Sequence, residues 1–266
     1  GEFIDFMIDH ELMDLQNKPG KASTGYMTSL PSLKAPFVFS CFNHTIFDMQ
    51  VLTHELGHAF AGYMAMRSQP ISDYYSESTD IAEIHSMSME QFAYPYAEWF
   101  FGDQADKFRF AHLQEALTFV PFGVAVDEFQ HICYAHPELT PKERTYQWHL
   151  LEEKYMPWRK YDNDAFMERG GYWYHKLHIY LYPFYYINYT LTTMGAMEFK
   201  KKYAEDKAAA WQDYLNLCKV GGSRSYLETL RYAELSNPFE AGSVERACGY
   251  AEKILLAQIA AQEQKA

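Results

Sequence analysis

His54-Glu55-Leu56-Gly57-His58 sets two imidazoles four residues apart, with an acid directly after the first. The stretch around it, Phe47 to Arg67, contains no proline and reads as helix. Residues i and i+4 share one helix face, so both rings can reach one metal ion while Glu55 points into the same cleft. Zinc suits two neutral nitrogens, a carboxylate and a water, and the bound water ionises near neutral pH. The competing reading is two histidines that meet by accident on a buried helix face. Glu55, beside the first histidine, is aimed at that water rather than at the metal. There it can take a proton and later hand it to a leaving amine. Gly57 removes a side chain where another element could pass close to the helix, though simple helix–helix packing would also explain it.

Two histidines do not complete a protein zinc site. The segment from Thr79 to Glu90 offers Asp80, Glu83, His85 and Glu90. Glu83 follows His58 by enough residues for one helix to end, turn and return antiparallel. Its apolar or small neighbours suit a buried carboxylate neutralised by a cation; the alternative is an acid paired with Lys or Arg. Glu90 lies two helical turns further on the same face. It could orient a metal-bound histidine without touching the ion, or be a solvated acid on the helix face.

Residues 178–189 form an aromatic run, with His178 leading into Tyr182, Tyr185, Tyr186 and Tyr189. If Pro183 opens a helix at its first position, Tyr186 and Tyr189 stand one turn apart on a shared face. Neutral phenols and a histidine can donate to the oxyanion of a tetrahedral intermediate without a fixed counter-charge. Core packing is the other reading of such a stripe. His131 and His136, by contrast, are spaced i,i+5, roughly 140° apart around a helix axis. Pro137 follows them, so they read as structural or surface histidines.

The elements that must position these residues are mostly helical. Residues 1–16 are predicted as an amphipathic helix ending near Lys18-Pro19-Gly20. Gly25–Leu30 and Phe37–Phe42 are the two extended runs of the one β region, separated by Pro31 to Pro36. The metal-motif helix follows. A second helix should begin near Ser76–Thr79 and run toward Phe101, with Pro95 a kink or early stop. Helical periodicity then covers 104–135, 141–156, 163–169, 181–202, 204–218, 224–235 and 243–263, with Pro121 expected to interrupt the first of these. No repeat, low-complexity tract or interdomain linker is visible. Residues 1–266 therefore read as a single, mostly α domain with a small sheet.

Composition narrows the function classes. The 266 residues are 48% hydrophobic, with 22 Tyr, 19 Phe and 5 Trp, so the chain is globular and rich in phenols that need partners when buried. A net charge of −12 argues against a nucleic-acid partner. Cys41, Cys133, Cys218 and Cys248 are scattered without C-x-x-C or framework spacing, which points to a reducing, cytoplasmic compartment. No eighteen-residue apolar run or signal-peptide pattern is present, so no membrane partner is expected. The chain opens at Gly1-Glu2-Phe3-Ile4 already in a helical pattern, which reads as a fragment or processed half of a longer protein.

Taken together, the motifs resemble the thimet-oligopeptidase and oligoendopeptidase F family of zinc metallopeptidases, most closely its bacterial oligoendopeptidase F branch. The resemblance rests on His54 to Phe60, on Ala82-Glu83-Ile84-His85-Ser86-Met87, and on Pro183 to Tyr189 behind His178. Pro36 to Asn43 and Asn237-Pro238-Phe239-Glu240-Ala241-Gly242 extend it over nearly the whole chain. It implies a zincin-like helical catalytic lobe with a small sheet near the active site, and a channel that admits short, unstructured peptides. His54, His58 and Glu83 would be the ligands of one zinc ion and Glu55 the base. His178, Tyr186 and Tyr189 match positions that bind substrate and stabilise the oxyanion, with Tyr182 and Tyr185 as further substrate contacts. The strand near Phe37–Phe42 would pair with the substrate backbone. Family members are considerably longer, and the N-terminal half that forms much of the channel wall would have to be supplied from elsewhere. The expected activity is that of a zinc endopeptidase. The rivals are a carboxypeptidase or dicarboxypeptidase on a similar scaffold, and an incomplete, non-catalytic zinc-binding lobe.

Overall fold

Glu2 opens the first helix, α1 (Glu2–Asp9), which stops well short of the expected end near Lys18. Glu11 turns left-handed, at φ 52°, and buried Leu12 leads into a two-residue strand, β1 (Met13–Asp14). The gain that ends the helix is long-range: the Val38 N–H donates to Leu12 O at 2.9 Å. The computed structural model describes residues 1–264. The expected extended runs are β2 (Tyr26–Leu30) and β3 (Ala35–Phe39), joined by a 3-10 turn at Pro31–Leu33 and a left-handed Lys34. The strand order is β1-β3-β2. β1 runs parallel to β3 with Met13 opposite Val38, and β2 runs antiparallel with Met27 opposite Val38.

The motif helix, α2 (Ile46–Ser68), begins at a capping box. The Asp48 carboxylate accepts from the N–H groups of Asn43, His44 and Thr45. Such a cap is worth about 1 kcal/mol and fixes where the helix starts. The second helix divides as Pro95 predicts: α3 (Thr79–Ala93), a 3-10 turn at Tyr94–Tyr96, then α4 (Ala97–Phe101). Next come α5 (Ala105–Ala135), α6 (Pro141–Tyr155), α7 (Ala165–Glu168) and α8 (Leu177–Leu181). They are followed by α9 (Ile187–Glu205), α10 (Lys207–Val220), α11 (Tyr226–Tyr232) and α12 (Ser243–Glu263).

Internal contacts divide the chain into two compact units: residues 1–113 with 192–266, and residues 114–191. In the first, α2 packs against β2, β3, α3 and α10. One core cluster joins Phe60, Ile81, Ile84, Phe92, Phe199 and Tyr214 beneath α2 and α3. A second joins Met7, Leu12, Val38 and Ala59 between α1, the sheet and α2. Each fully buried aliphatic or aromatic side chain stabilises by roughly 1.5–3 kcal/mol. Gly57 marks the closest approach of α2 and α3: a Cβ there would lie 2.6 Å from Ser86 Cα and 2.8 Å from His85 O. The connection between the two helices is tied to the end of α10. Gln69 Nε2 donates to Lys219 O at 2.6 Å, and the Gly222 N–H donates to Tyr74 O at 3.1 Å.

In the second unit, Phe122, Val126, Phe129, Trp148, Leu151 and Trp173 form the core. Pro121 does not break α5 as expected; the helix runs through it. A proline inside a helix costs about 3 kcal/mol. Burial of Phe122, Ala125, Val126 and Phe129 in the turns that follow more than offsets this.

Candidate active site

Two helices and one close contact assemble the first cluster. α2 presents His54 and His58 on one face, their rings 4.9 Å apart between centroids. Gly57 lets α3 approach until Glu83 Oε2 stands 3.0 Å from His54 Nε2 and 3.4 Å from His58 Nε2. The three donor groups lie within 4.8 Å of one another. Tetrahedral zinc with bonds near 2.0–2.1 Å places its donors about 3.3 Å apart, so the set fits such an ion. Among the described residues this is the one such group. The alternative for Glu83, a Lys or Arg partner, is not what the structure contains: it meets the two histidines and the Ser86 hydroxyl, which donates at 2.8 Å.

Glu90 takes the place expected of an orienting acid. Its Oε1 accepts from His54 Nδ1 at 2.6 Å, which leaves Nε2 of that ring turned to Glu83. Its Oε2 accepts from His112 Nε2 at 2.5 Å, and the Tyr94 hydroxyl lies 2.6 Å from His112 Nδ1. Burial works against a charged His54, but the hydrogen bonds to Glu83 and Glu90 prevail and raise its pKa to about 10. Burial would lift the Glu83 and Glu90 carboxyls. The histidines bonded to them, His54 and His58 for Glu83 and His112 and His54 for Glu90, hold both below the usual range instead. Two carboxylates around one imidazole thus call for positive charge, which a divalent cation satisfies as well as a proton does. The other acids and bases offered by α3 point elsewhere. Asp80 is bonded to Ser78 at the helix start, and buried His85 has Nδ1 3.1 Å from Glu77 Oε1.

Glu55 stays outside the donor set. It is buried against the start of β2, bonded to the backbone of Met27, and Gly25 leaves it room: a Cβ on that glycine would lie 3.3 Å from Glu55 Oε1. Burial raises its pKa above the ordinary carboxylate value, against the pull of His54 and His58. A cleft of about 420 Å³ opens over these groups, lined by Gly25, Tyr26, Met27, Glu55, Glu77 and Glu83 among others. The strand beside the cleft is β2. β3 is the central strand with both edges paired, so it cannot take a substrate backbone as the sequence suggested. The outer edge of β2 carries no pairing among the described residues.

The second unit gathers the histidine and tyrosines. His178 stacks on Tyr185, with centroids 6.1 Å apart, and meets Tyr186 edge-on at 5.2 Å and Tyr189 at 6.1 Å. Tyr182 lies 6.4 Å from His178, at the margin of the cluster. Pro183 does not open the helix. α8 ends at Leu181, a turn follows, and α9 begins only at Ile187. Phe184 is left-handed, at φ 60°, and its N–H donates to Gln130 Oε1 at 2.8 Å. That distant partner replaces the helical bonding the proline would have started. Burial pushes the Tyr186 phenol up to about 12, and burial with Lys176 lowers His178, so both shifts favour the neutral form. His131 and His136 are exposed, each with a local acid, Asp127 and Glu138.

Residues 5–249 match Peptidase family M3. The chain belongs to peptidase family M3. An oligoendopeptidase F homolog of Borreliella burgdorferi is 25% identical over 234 residues, covering 84% of this chain and 38% of the relative. The structure of PZ peptidase A with an inhibitor superposes with a TM-score of 0.86 at 49% identity, covering 97% of this chain and 46% of that one. A candidate oligoendopeptidase F from Bacillus anthracis gives 0.80 at 43% identity, over 96% and 43%. This M3 chain therefore spans less than half the length of the relatives it matches. It shares their mostly helical, zincin-like fold with one small sheet. No helix among the described residues is long and apolar enough to cross a membrane.

Sequence reasoning missed His112, Tyr94 and Gln130 in this M3 chain. His112 sits on the buried face of α5 one turn after Phe108, whose ring stacks on it at 5.5 Å. A buried polar ring between Phe108 and Ala116 at helical spacing was the available signal. Gln130 is buried at 1% exposure, between Val126 O and the Phe184 N–H.

Proposed function

We propose that this chain is the catalytic lobe of a zinc endopeptidase that hydrolyses internal bonds of short, unstructured peptides. The observation that carries the reading is the convergence of His54 Nε2, His58 Nε2 and Glu83 Oε2 beside a buried glutamate that is not one of the donors. Membership of family M3 supports it. His54, His58 and Glu83 would hold the ion. Zinc bound there would supply Lewis acidity toward a scissile carbonyl and ease the ionisation of water.

The chain's own residues supply the rest. Glu55 takes the proton of the attacking water as its oxygen bonds to the carbonyl carbon, then returns that proton to the amine as the C–N bond breaks. Its raised pKa suits a group that must both accept and give. Glu90 holds His54 in the tautomer that leaves Nε2 free for the ion. The free edge of β2 is suited to pair with the backbone of an extended peptide. His178, Tyr186 and Tyr189 are assigned to stabilise the oxyanion, with Tyr182 and Tyr185 as substrate contacts; three neutral donors packed together suit that role. A pure structural zinc site would favour four protein ligands and has no use for Glu55.

The test is cleavage of an internally quenched peptide, blocked at its C-terminus by an amide, with Glu55→Gln as the paired control. The expected result is internal cleavage by the parent, at least 100-fold slower in the variant, on the scale of general-base catalysis of about 10²–10⁴. Equal cleavage by both proteins would overturn the assignment of Glu55. Cleavage only of free-acid peptides would indicate a carboxypeptidase instead.

A further inference from the structure

The orienting acid is itself held. Glu90 is 8% exposed, and each of its oxygens has a histidine: His54 on one side, His112 on the other. An ionised carboxylate only accepts hydrogen bonds, so both facing nitrogens carry N–H. With a cation held beside His58 and Glu83, His54 would give up the proton on Nε2 and keep the one on Nδ1, toward Glu90. A neutral His112, donating from Nε2, must accept at Nδ1, where the Tyr94 hydroxyl lies 2.6 Å away. Without His112 the second oxygen of Glu90 would be buried with no donor, and the carboxylate would be free to rotate away from His54.

The far end of this array is equally well built. His112 is 8% exposed and stacked on Phe108. Tyr94 is 7% exposed, its ring lies under Lys200 Nζ at 3.5 Å, and its carbonyl accepts from Arg109 Nε and Nη2 at 3.1 and 2.9 Å. Neither His112 nor Tyr94 reaches the donor group itself. We propose that His112, backed by Tyr94, is a positioning residue for the metal: acting through Glu90, it holds His54 in the orientation and tautomer that binds the ion. This rests on the zinc reading above.

Zinc affinity of the whole chain, measured by competition with a chromophoric chelator at one fixed pH, tests it without any need for turnover. His112→Phe should weaken zinc binding by about 10–100-fold, the range for partners of metal-bound histidines. His112→Gln, whose amide can donate from nearly the same place, should recover most of it, and Tyr94→Phe should lose only a few-fold. In a Glu90→Gln background, His112→Phe should cost nothing further, because its route to the ion is already broken. If His112→Phe does not fold, His112→Asn, too short to reach Glu90, replaces it with the same expected loss. Parent-like affinity in the Phe variant, equal losses in Phe and Gln, or a full additional loss in the Glu90→Gln background would each overturn the proposal. His58→Ala separates the two readings. If it binds zinc like the parent, the metal site itself is misassigned and the proposal falls with it. If it abolishes binding while His112→Phe is silent, only the positioning role is lost.

Discussion

The two clusters of candidate residues are built on different principles. The histidines and glutamates of the first ride on α2 and α3, two helices in close contact through Gly57, with both nitrogens of His54 and both oxygens of Glu90 held by specific partners. The histidine and tyrosines of the second surround a turn between α8 and α9, held mainly by ring contacts and by one buried amide reaching a left-handed residue. The first arrangement fixes donor atoms to within a hydrogen bond. The second is fixed chiefly through its ring planes, with the Tyr185 and Tyr189 hydroxyls 3.4 Å apart. A metal ion demands the former, whereas transient donation to a developing charge tolerates the latter.

The sharpest way to break this contrast is to remove a donor from the first cluster. His58→Ala should abolish stoichiometric zinc binding, read by metal analysis after dialysis, whereas Tyr189→Phe should leave that stoichiometry unchanged. Gly57→Ala comes next. Its Cβ would meet backbone atoms of α3, so the helices must part; overpacking of this kind costs about 1–3 kcal/mol. Thermal unfolding should show that loss, and zinc affinity should fall with it even though every donor is retained. In the second unit, Gln130→Leu should cost less, about 0.5–1.5 kcal/mol for the lost hydrogen bond to the Phe184 N–H. Zinc affinity should not change, and a weaker affinity in that variant would contradict the independence of the two clusters. The smallest effect is expected from replacing His131 and His136 together by alanine: both are exposed, and stability should move by no more than about 0.5 kcal/mol.

The same contrast explains what could be read from the sequence. α2 and α3 were legible because the stretch from Phe47 to Arg67 holds no proline, because Ser76–Thr79 offers caps for α3, and because the i,i+4 spacing of His54 and His58 survives any packing. The length of the connection singled out Glu83 as a candidate partner, and two helical turns placed Glu90 on the same face. The tyrosine region misled, since Pro183 looks like a helix start while the conformation of Phe184 is set by Gln130, 54 residues earlier. β1 was invisible because two residues carry no alternation; it exists only through its pairing with Val38 and Phe39. Pro121 shows the reverse case, in which packing overrides a local signal. The link between Glu90 and His112 has no sequence period at all and emerges only where α3 and α5 meet.

The loop after α2 has one further implication. Because Gln69 and Tyr74 are bonded to Lys219 and Gly222, and Gly221 and Gly222 leave no room for side chains beside Tyr74 and Ser76, the metal-motif segment is braced by residues about 150 positions downstream. The stretch from Thr45 to Ala93 is therefore not a portable module. Transplanted alone into another protein it would carry the ligands but not the brace that sets their separation, unlike a zinc finger, whose fold is made by its own short sequence.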